Sequence, residues 1–212
     1  MEFLLTPSDN SVEHASQNHR LSLALQGGGS LGAFAWGVLD RLLEEDGITF
    51  DTVSGASAGA INAVILAAGL LAGGKPEARR RLDRFWERSS RMAPPVRSAV
   101  ATLFGDLTSH LISPYQLNPF NLNPLKGLLS GEVDFEALRR NPPVQLLIAA
   151  TSVASGRLQV FREGELTRDM VLASACLPLV NQAVSVGGGA VLGRRVLGQS
   201  ASDRAGGSIR GP

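Results

Sequence analysis

A serine flanked by two glycines, Gly55-Ala56-Ser57-Ala58-Gly59, is the arrangement best suited to chemistry in this chain of 212 residues. A short apolar run, Ile48 to Val53, precedes it, and a small-residue apolar stretch, Ala58 to Ala72, follows. That order reads as strand, tight turn and helix. A serine on such a turn stands proud of the sheet edge, and its hydroxyl meets the positive end of the following helix. The turn holds the serine in a strained backbone conformation, and side chains at Gly55 or Gly59 would collide with neighbouring backbone. Ser57 is therefore the candidate nucleophile.

The second stretch is Gly27-Gly28-Gly29-Ser30-Leu31-Gly32, which satisfies G-x-G-x-x-G between a strand and a helix. One reading is a dinucleotide-binding loop, with Asp51 roughly where a ribose-binding acid is expected. The other is an oxyanion hole, because consecutive glycines let backbone N–H groups converge on the negative oxygen of a tetrahedral intermediate. The neighbouring element favours the second. A nucleotide fold has no need of a serine elbow, whereas acyl transfer needs both a nucleophile and donors close by. Two adjacent parallel strands would set the two turns side by side at one edge of the sheet.

The elements that must position these turns follow from the pattern. Leu21 to Leu25 is the first strand, Ala33 to Glu45 a helix ended by Asp46-Gly47, and Ile48 to Val53 the second strand. The apolar helix after Ser57 runs to about Leu71 and breaks at Gly73-Gly74-Lys75-Pro76; Glu77 to Arg91 is a charged helix. Its arginines Arg79, Arg80, Arg81 and Arg84 read as a solvated face balanced by Glu77, Asp83 and Glu87 rather than an anion-binding patch. Residues 92–131, rich in Pro, Asn and Gly, suggest short helices and loops forming a lid. Asp134 to Arg140 and Thr167 to Cys176 read as helices, Val144 to Ala150 as a strand with Leu158 to Phe161 as its neighbour, and Val180 to Val186 as a last strand.

Composition bounds the function. Hydrophobic content of 44% and charged content of 18% fit a globular domain, and a net charge of +1 argues against nucleic acid as a partner. A single cysteine, Cys176, allows no internal disulfide and reads as a small buried residue. Met1 to Arg20 reads as a flexible tail without signal-peptide character, and Ala60 to Ala72 as a buried helix rather than a membrane span. The expected location is cytoplasmic, with peripheral membrane contact.

LALQGGGSLGAFAWGVLDRL followed shortly by DTVSGASAGAINA resembles the patatin-like phospholipase family. SPYQLNPFNLNPL, QLLIAATSVASGRLQVF and LASACLPLVNQAV extend the resemblance over about Leu21 to Val186. It implies an α/β, three-layer fold with a central, mostly parallel sheet flanked by helices. It also implies hydrolysis of lipid acyl esters through a Ser–Asp dyad, with no metal and no cofactor. On this resemblance Ser57 is the nucleophile, the backbone of Gly27, Gly28 and Gly29 lines the oxyanion hole, and Gly32 completes the glycine-loop motif. A non-catalytic relative that binds lipid through its apolar cleft is the remaining alternative.

The base is the difficulty. A serine hydroxyl needs a partner to take its proton. His14 and His19 lie in the tail, and nothing marks His110 as catalytic. The family's aspartate, in an Asp-Gly-Gly or Asp-Gly-Ala motif beyond the last strand, is absent: after Gln182-Ala183-Val184-Ser185-Val186 the chain reads GGGAVLGRRVLGQSASDRAGG. Asp203 is followed by Arg204-Ala205 and takes no catalytic role. Back-translating Val191 to Ala201 and reading from the second base of each codon permits Tyr-Trp-Asp-Gly-Gly-Tyr-Ser-Ala/Gly-Asn-Pro, which resembles the family's dyad segment. The expectation is a reading-frame shift near residues 187–190. The chain then divides into a tail over 1–20, an incomplete domain over 21–186 and an atypical, non-native stretch over 187–212, with weak or no activity.

Overall fold

The computed structural model of the protein describes residues 19–92, 124–176, 184–186 and 189–192. Its sheet is α/β in character, with a parallel centre. Strand β1 (His19–Leu25) pairs in parallel with β2 (Ile48–Ala56), which pairs in parallel with β3 (Gln145–Ser152). Antiparallel pieces complete it: β4 (Leu158–Arg162) pairs with β3, as does β6 (Gly189–Leu192), and β6 carries β5 (Val184–Val186). The sheet thus runs on to Leu192, beyond the boundary at 186 expected from composition. Of the last strand expected over 180–186, residues 180–183 lie outside the described residues.

The helices follow their sequence signals closely. A 3-10 turn (Gly29–Leu31) leads into α1 (Gly32–Glu44). Helix α2 (Ala58–Met92) is broken at Gly73 and Gly74, both non-helical, so its apolar first part and charged second part are two rods. The first part is the core of the domain, with Ala58 to Gly69 buried throughout. Taken whole, Ala58–Met92 is long and apolar enough to cross a membrane, yet 67% of its most apolar stretch is buried within the fold. Helices α3 (Pro124–Glu132), α4 (Phe135–Arg140) and α5 (Arg168–Ala175) pack around it. Asp134 caps α4 by accepting from the amides of Glu136 and Ala137, and Thr167 caps α5 through Met170. Along β3, Leu146, Ile148 and Ala150 are buried and alternate with more exposed residues, the period-2 signature of one covered face.

The arginines of α2 are committed to partners, several of them on other helices. Arg79 donates to Asp40 at 2.7 and 3.0 Å and to Glu44 at 2.8 Å, clamping α1. Arg84 reaches Glu132, a buried carboxylate of α3, at 3.0 Å. Arg80 and Arg81 share Glu77. The expected balance within one helix face is therefore corrected: Glu77 serves, but Asp40, Glu44 and Glu132 do the rest, because helix packing brings them there. The hydrogen bond from Arg81, helped by Arg80, holds the Glu77 carboxyl at about 2, well below its ordinary 4.5. A folded-state value below the unfolded one stabilises above pH 4.5 and is lost as pH falls towards 2. Glu77→Gln is expected to lower the urea midpoint at pH 7 by the equivalent of about 0.2–1 kcal/mol, since its partners are partly solvated. The gap between variant and parent should close on titration from pH 4.5 towards pH 2; an undiminished gap at low pH would contradict this.

Candidate active site

Register brings the two glycine turns together. Leu25 at the end of β1 is level with Gly55 near the end of β2, so the chain turns after both strands at the same edge. There Ser57 adopts φ 56°, the one positive φ at a non-glycine residue among those described. Its carbonyl accepts from the Ile61 amide at 3.1 Å, so the serine begins α2 and sits at the positive end of that helix. A Cβ at Gly55 would stand 2.5 Å from the Gly59 carbonyl oxygen, and one at Gly59 would overlap the Leu25 carbonyl oxygen. Each glycine of the G-x-S-x-G pattern is thus needed because backbone passes directly over it.

The glycine loop lies against the serine. A Cβ at Gly27 would come within 2.9 Å of the Ser57 Cβ and 3.0 Å of the Ala56 carbonyl oxygen. Gly28 (φ 152°) and Gly29 (φ 59°) take conformations that side chains disfavour, and they aim the following 3-10 turn into α1. Among the described residues, no acceptor takes the amides of Gly27 and Gly28. Free amides beside a serine hydroxyl can stabilise an oxyanion.

Three residues that the sequence did not single out hold this arrangement. Asn62, fully buried, donates to the Gly32 carbonyl at 2.9 Å and accepts from Trp86 Nε1 at 2.9 Å. The Trp86 ring lies within 2.9 Å of where a Gly32 Cβ would be, so only glycine fits there. Ser174 of α5, also fully buried, accepts from the Ser57 amide at 2.9 Å and donates to the Ala149 carbonyl at 2.6 Å. A polar residue inside an apolar helical stretch is the one available signal for Asn62 and Ser174, and it names no partner.

Asp51 is elsewhere. It falls at the irregularity beside Leu21 and Ser22 near the start of β1 and is hydrogen-bonded by Arg20 Nε at 2.7 Å. At about 3.3 Å per residue it lies roughly 15 Å of strand from the glycine loop, at the opposite edge of the sheet. A ribose-binding acid must stand at the same edge as the loop, so the dinucleotide alternative loses its second ligand. A cleft of about 620 Å³ opens at that far edge, between Arg20, Asp51, Thr52, Pro142 and Gln145, remote from the serine.

No carboxylate or imidazole among the described residues hydrogen-bonds Ser57 Oγ. His19 is exposed at the start of β1, whereas His14, His110 and Asp203 lie outside the described residues, as do 93–123 of the expected lid. Cys176 is buried, as expected. No group of three His, Cys, Asp or Glu is gathered as a metal site among the described residues.

The direction of β6 is informative. Thr151 of β3 pairs with Leu158 of β4 and with Leu192 of β6, so β4 and β6 occupy opposite edges of β3. Because β4 also overlaps the stretch paired with β2, β6 continues along the edge that β2 leaves at Ala56. Its pairing steps from Ser152 at Val191 to Thr151 at Leu192, so the chain leaves β6 heading for Ala149, the partner of Ala56. Two residues, about 7 Å, separate that exit from the serine turn along β3.

A family model described as patatin-like phospholipase matches residues 23–193. A search of curated proteins returns no match. Among solved structures the fold is similar to VipD from Legionella pneumophila, with 16% identity and a TM-score of 0.46 over 81% of this chain and 45% of that one. It is also similar to a chain of the ExoU–SpcU complex from the type III secretion system of Pseudomonas aeruginosa, with 23% identity and a TM-score of 0.35 over 69% of this chain and 33% of that one. The chain thus spans less than half the length of either. With the glycine loop and serine turn at one sheet edge and the match extending through both, the protein belongs to the patatin-like phospholipase family.

Proposed function

We propose that the protein is a serine acyl hydrolase acting on lipid acyl esters, built for a Ser–Asp dyad whose aspartate is missing from this chain. Family membership supports lipid hydrolase chemistry at the coarse level. The observation that carries the finer reading is the packing of Gly27 against the Ser57 Cβ. A carbonyl attacked by Ser57 Oγ would hold its developing negative charge beside the Gly27, Gly28 and Gly29 amides. The Ser57 proton passes to the base, which returns it to the departing alcohol, leaving an acyl-serine that water cleaves.

The direction of β6 supports the placement of the base. A carboxylate in the first residues after Leu192 would emerge beside the serine turn. In the shifted frame, the aspartate codon spans Gly193 and Arg194. The nucleotide sequence checks this directly: a frame without Asp-Gly-Gly after any single-base change would refute the frameshift. As written, the chain leaves the Ser57 proton to solvent.

Leu31 and Phe34 support contact with a lipid surface. They are 75% and 79% exposed and stand on the turn and helix that follow the glycine loop. Apolar side chains beside the reacting group suit a substrate drawn from an aggregated lipid.

A fluorophosphonate probe tests the core of the reading. Slow labelling of the parent chain, reduced to background in Ser57→Ala with unchanged thermal unfolding, is the expected result. Labelling that survives Ser57→Ala would place the nucleophile elsewhere. Robust parental ester turnover would overturn the missing base.

A further inference from the structure

We propose that Ser174 is a positioning residue for the nucleophile: it holds the Ser57 amide, fixes the strained elbow, and takes that amide out of the oxyanion hole. The inference rests on the reading of Ser57 as the nucleophile and deepens it.

The geometry sets the direction of both hydrogen bonds. The Ser57 amide can only donate and the Ala149 carbonyl can only accept, so the single Ser174 hydroxyl proton goes to Ala149 and an oxygen lone pair faces Ser57. Ala149 is the β3 residue paired with Ala56, the residue just before the nucleophile. Ser174 therefore fastens the elbow to the neighbouring strand immediately beyond the point where sheet pairing ends. Ser174 is fully buried, so no water competes for either bond. A serine at φ 56° persists only where its surroundings over-determine it. Helix α5, capped at Thr167 and buried over Val171 to Ser174, supplies that rigidity.

The consequence is chemical. In the serine-protease arrangement the nucleophile's own amide is one of the oxyanion donors. Here that amide is already bonded to an interior hydroxyl, so Ser57 itself offers no backbone donor to an oxyanion.

Amide hydrogen exchange at Ser57, followed by NMR in the full chain, tests this beside fluorophosphonate labelling. Ser174→Ala is expected to speed exchange at Ser57 about tenfold or more relative to the amides of β3, because the amide loses its acceptor. Labelling should slow about 10- to 100-fold, beyond any change in the folded fraction. Ser174→Thr, which keeps the hydroxyl, should restore most of both. Unchanged relative exchange at Ser57 in Ser174→Ala overturns the proposal, as does labelling that falls only in step with unfolding. A parent without Ser57-dependent label counts against the nucleophile reading, and exchange alone then decides the role of Ser174.

Discussion

Ser57-dependent ester hydrolysis should rise about 10²- to 10⁴-fold when the chain from Val191 onward is replaced by the shifted-frame segment beginning Tyr-Trp-Asp-Gly-Gly, the range a positioned general base supplies. The serine turn and the glycine loop stand together at one sheet edge, while no carboxylate among the described residues bonds Ser57. Strand β6 points towards Ala149, the partner of Ala56, as far as Leu192. The same replacement carrying asparagine for aspartate is the control, since an amide of the same shape cannot take a proton. Turnover equal in the aspartate and asparagine versions would sink the dyad. The gain should also fade as pH drops and the restored carboxylate protonates, because only the ionised form is a base.

In that base-restored chain, Gly27→Ala is expected to cost about 10²–10³ in kcat, the usual penalty for a disturbed oxyanion hole. The added methyl would meet the Ser57 Cβ at 2.9 Å and the Ala56 carbonyl at 3.0 Å. Relief requires the loop and the serine to move apart, which lengthens every contact to a developing oxyanion. KM should change less than kcat, because the loss falls in the transition state. Gly29→Ala is the comparison. Nothing lies within 4 Å of its would-be Cβ, so it carries only the backbone strain of φ 59°, about 1–2 kcal/mol in stability, and should leave the hydroxyl in place. A Gly27→Ala enzyme with parental kcat would exclude the loop as the source of donors.

Local signals account for much of the fold. The break at Gly73 and Gly74, the caps at Asp134 and Thr167, and the apolar run of β3 are each written in neighbouring residues, and each element forms where they place it. The pairing of a serine elbow with a glycine loop was legible for the same reason: both are backbone requirements, and glycine is the residue that meets them. Strand β6 was not, because a triple glycine followed by a few apolar residues carries no strand periodicity of its own. It forms on the free edge of β3, which is a property of the sheet. The partners of the α2 arginines were misjudged within one helix for a similar reason, since Asp40 and Glu44 reach Arg79 only through helix packing.

By itself, the sequence determined the serine turn, the need for glycine around it, and the lack of an Asp-Gly-Gly motif after Val186, because these depend on residue type and short spacing. The tertiary structure decided what Gly27 to Gly32 would lie against. Register set the loop against Ser57 and left Asp51 at the far edge beside Arg20. It also decided what holds Ser57 in place. Ser174 reaches Ser57 across 117 positions of chain, and only the closing of α5 over β2 and β3 brings hydroxyl and amide to 2.9 Å.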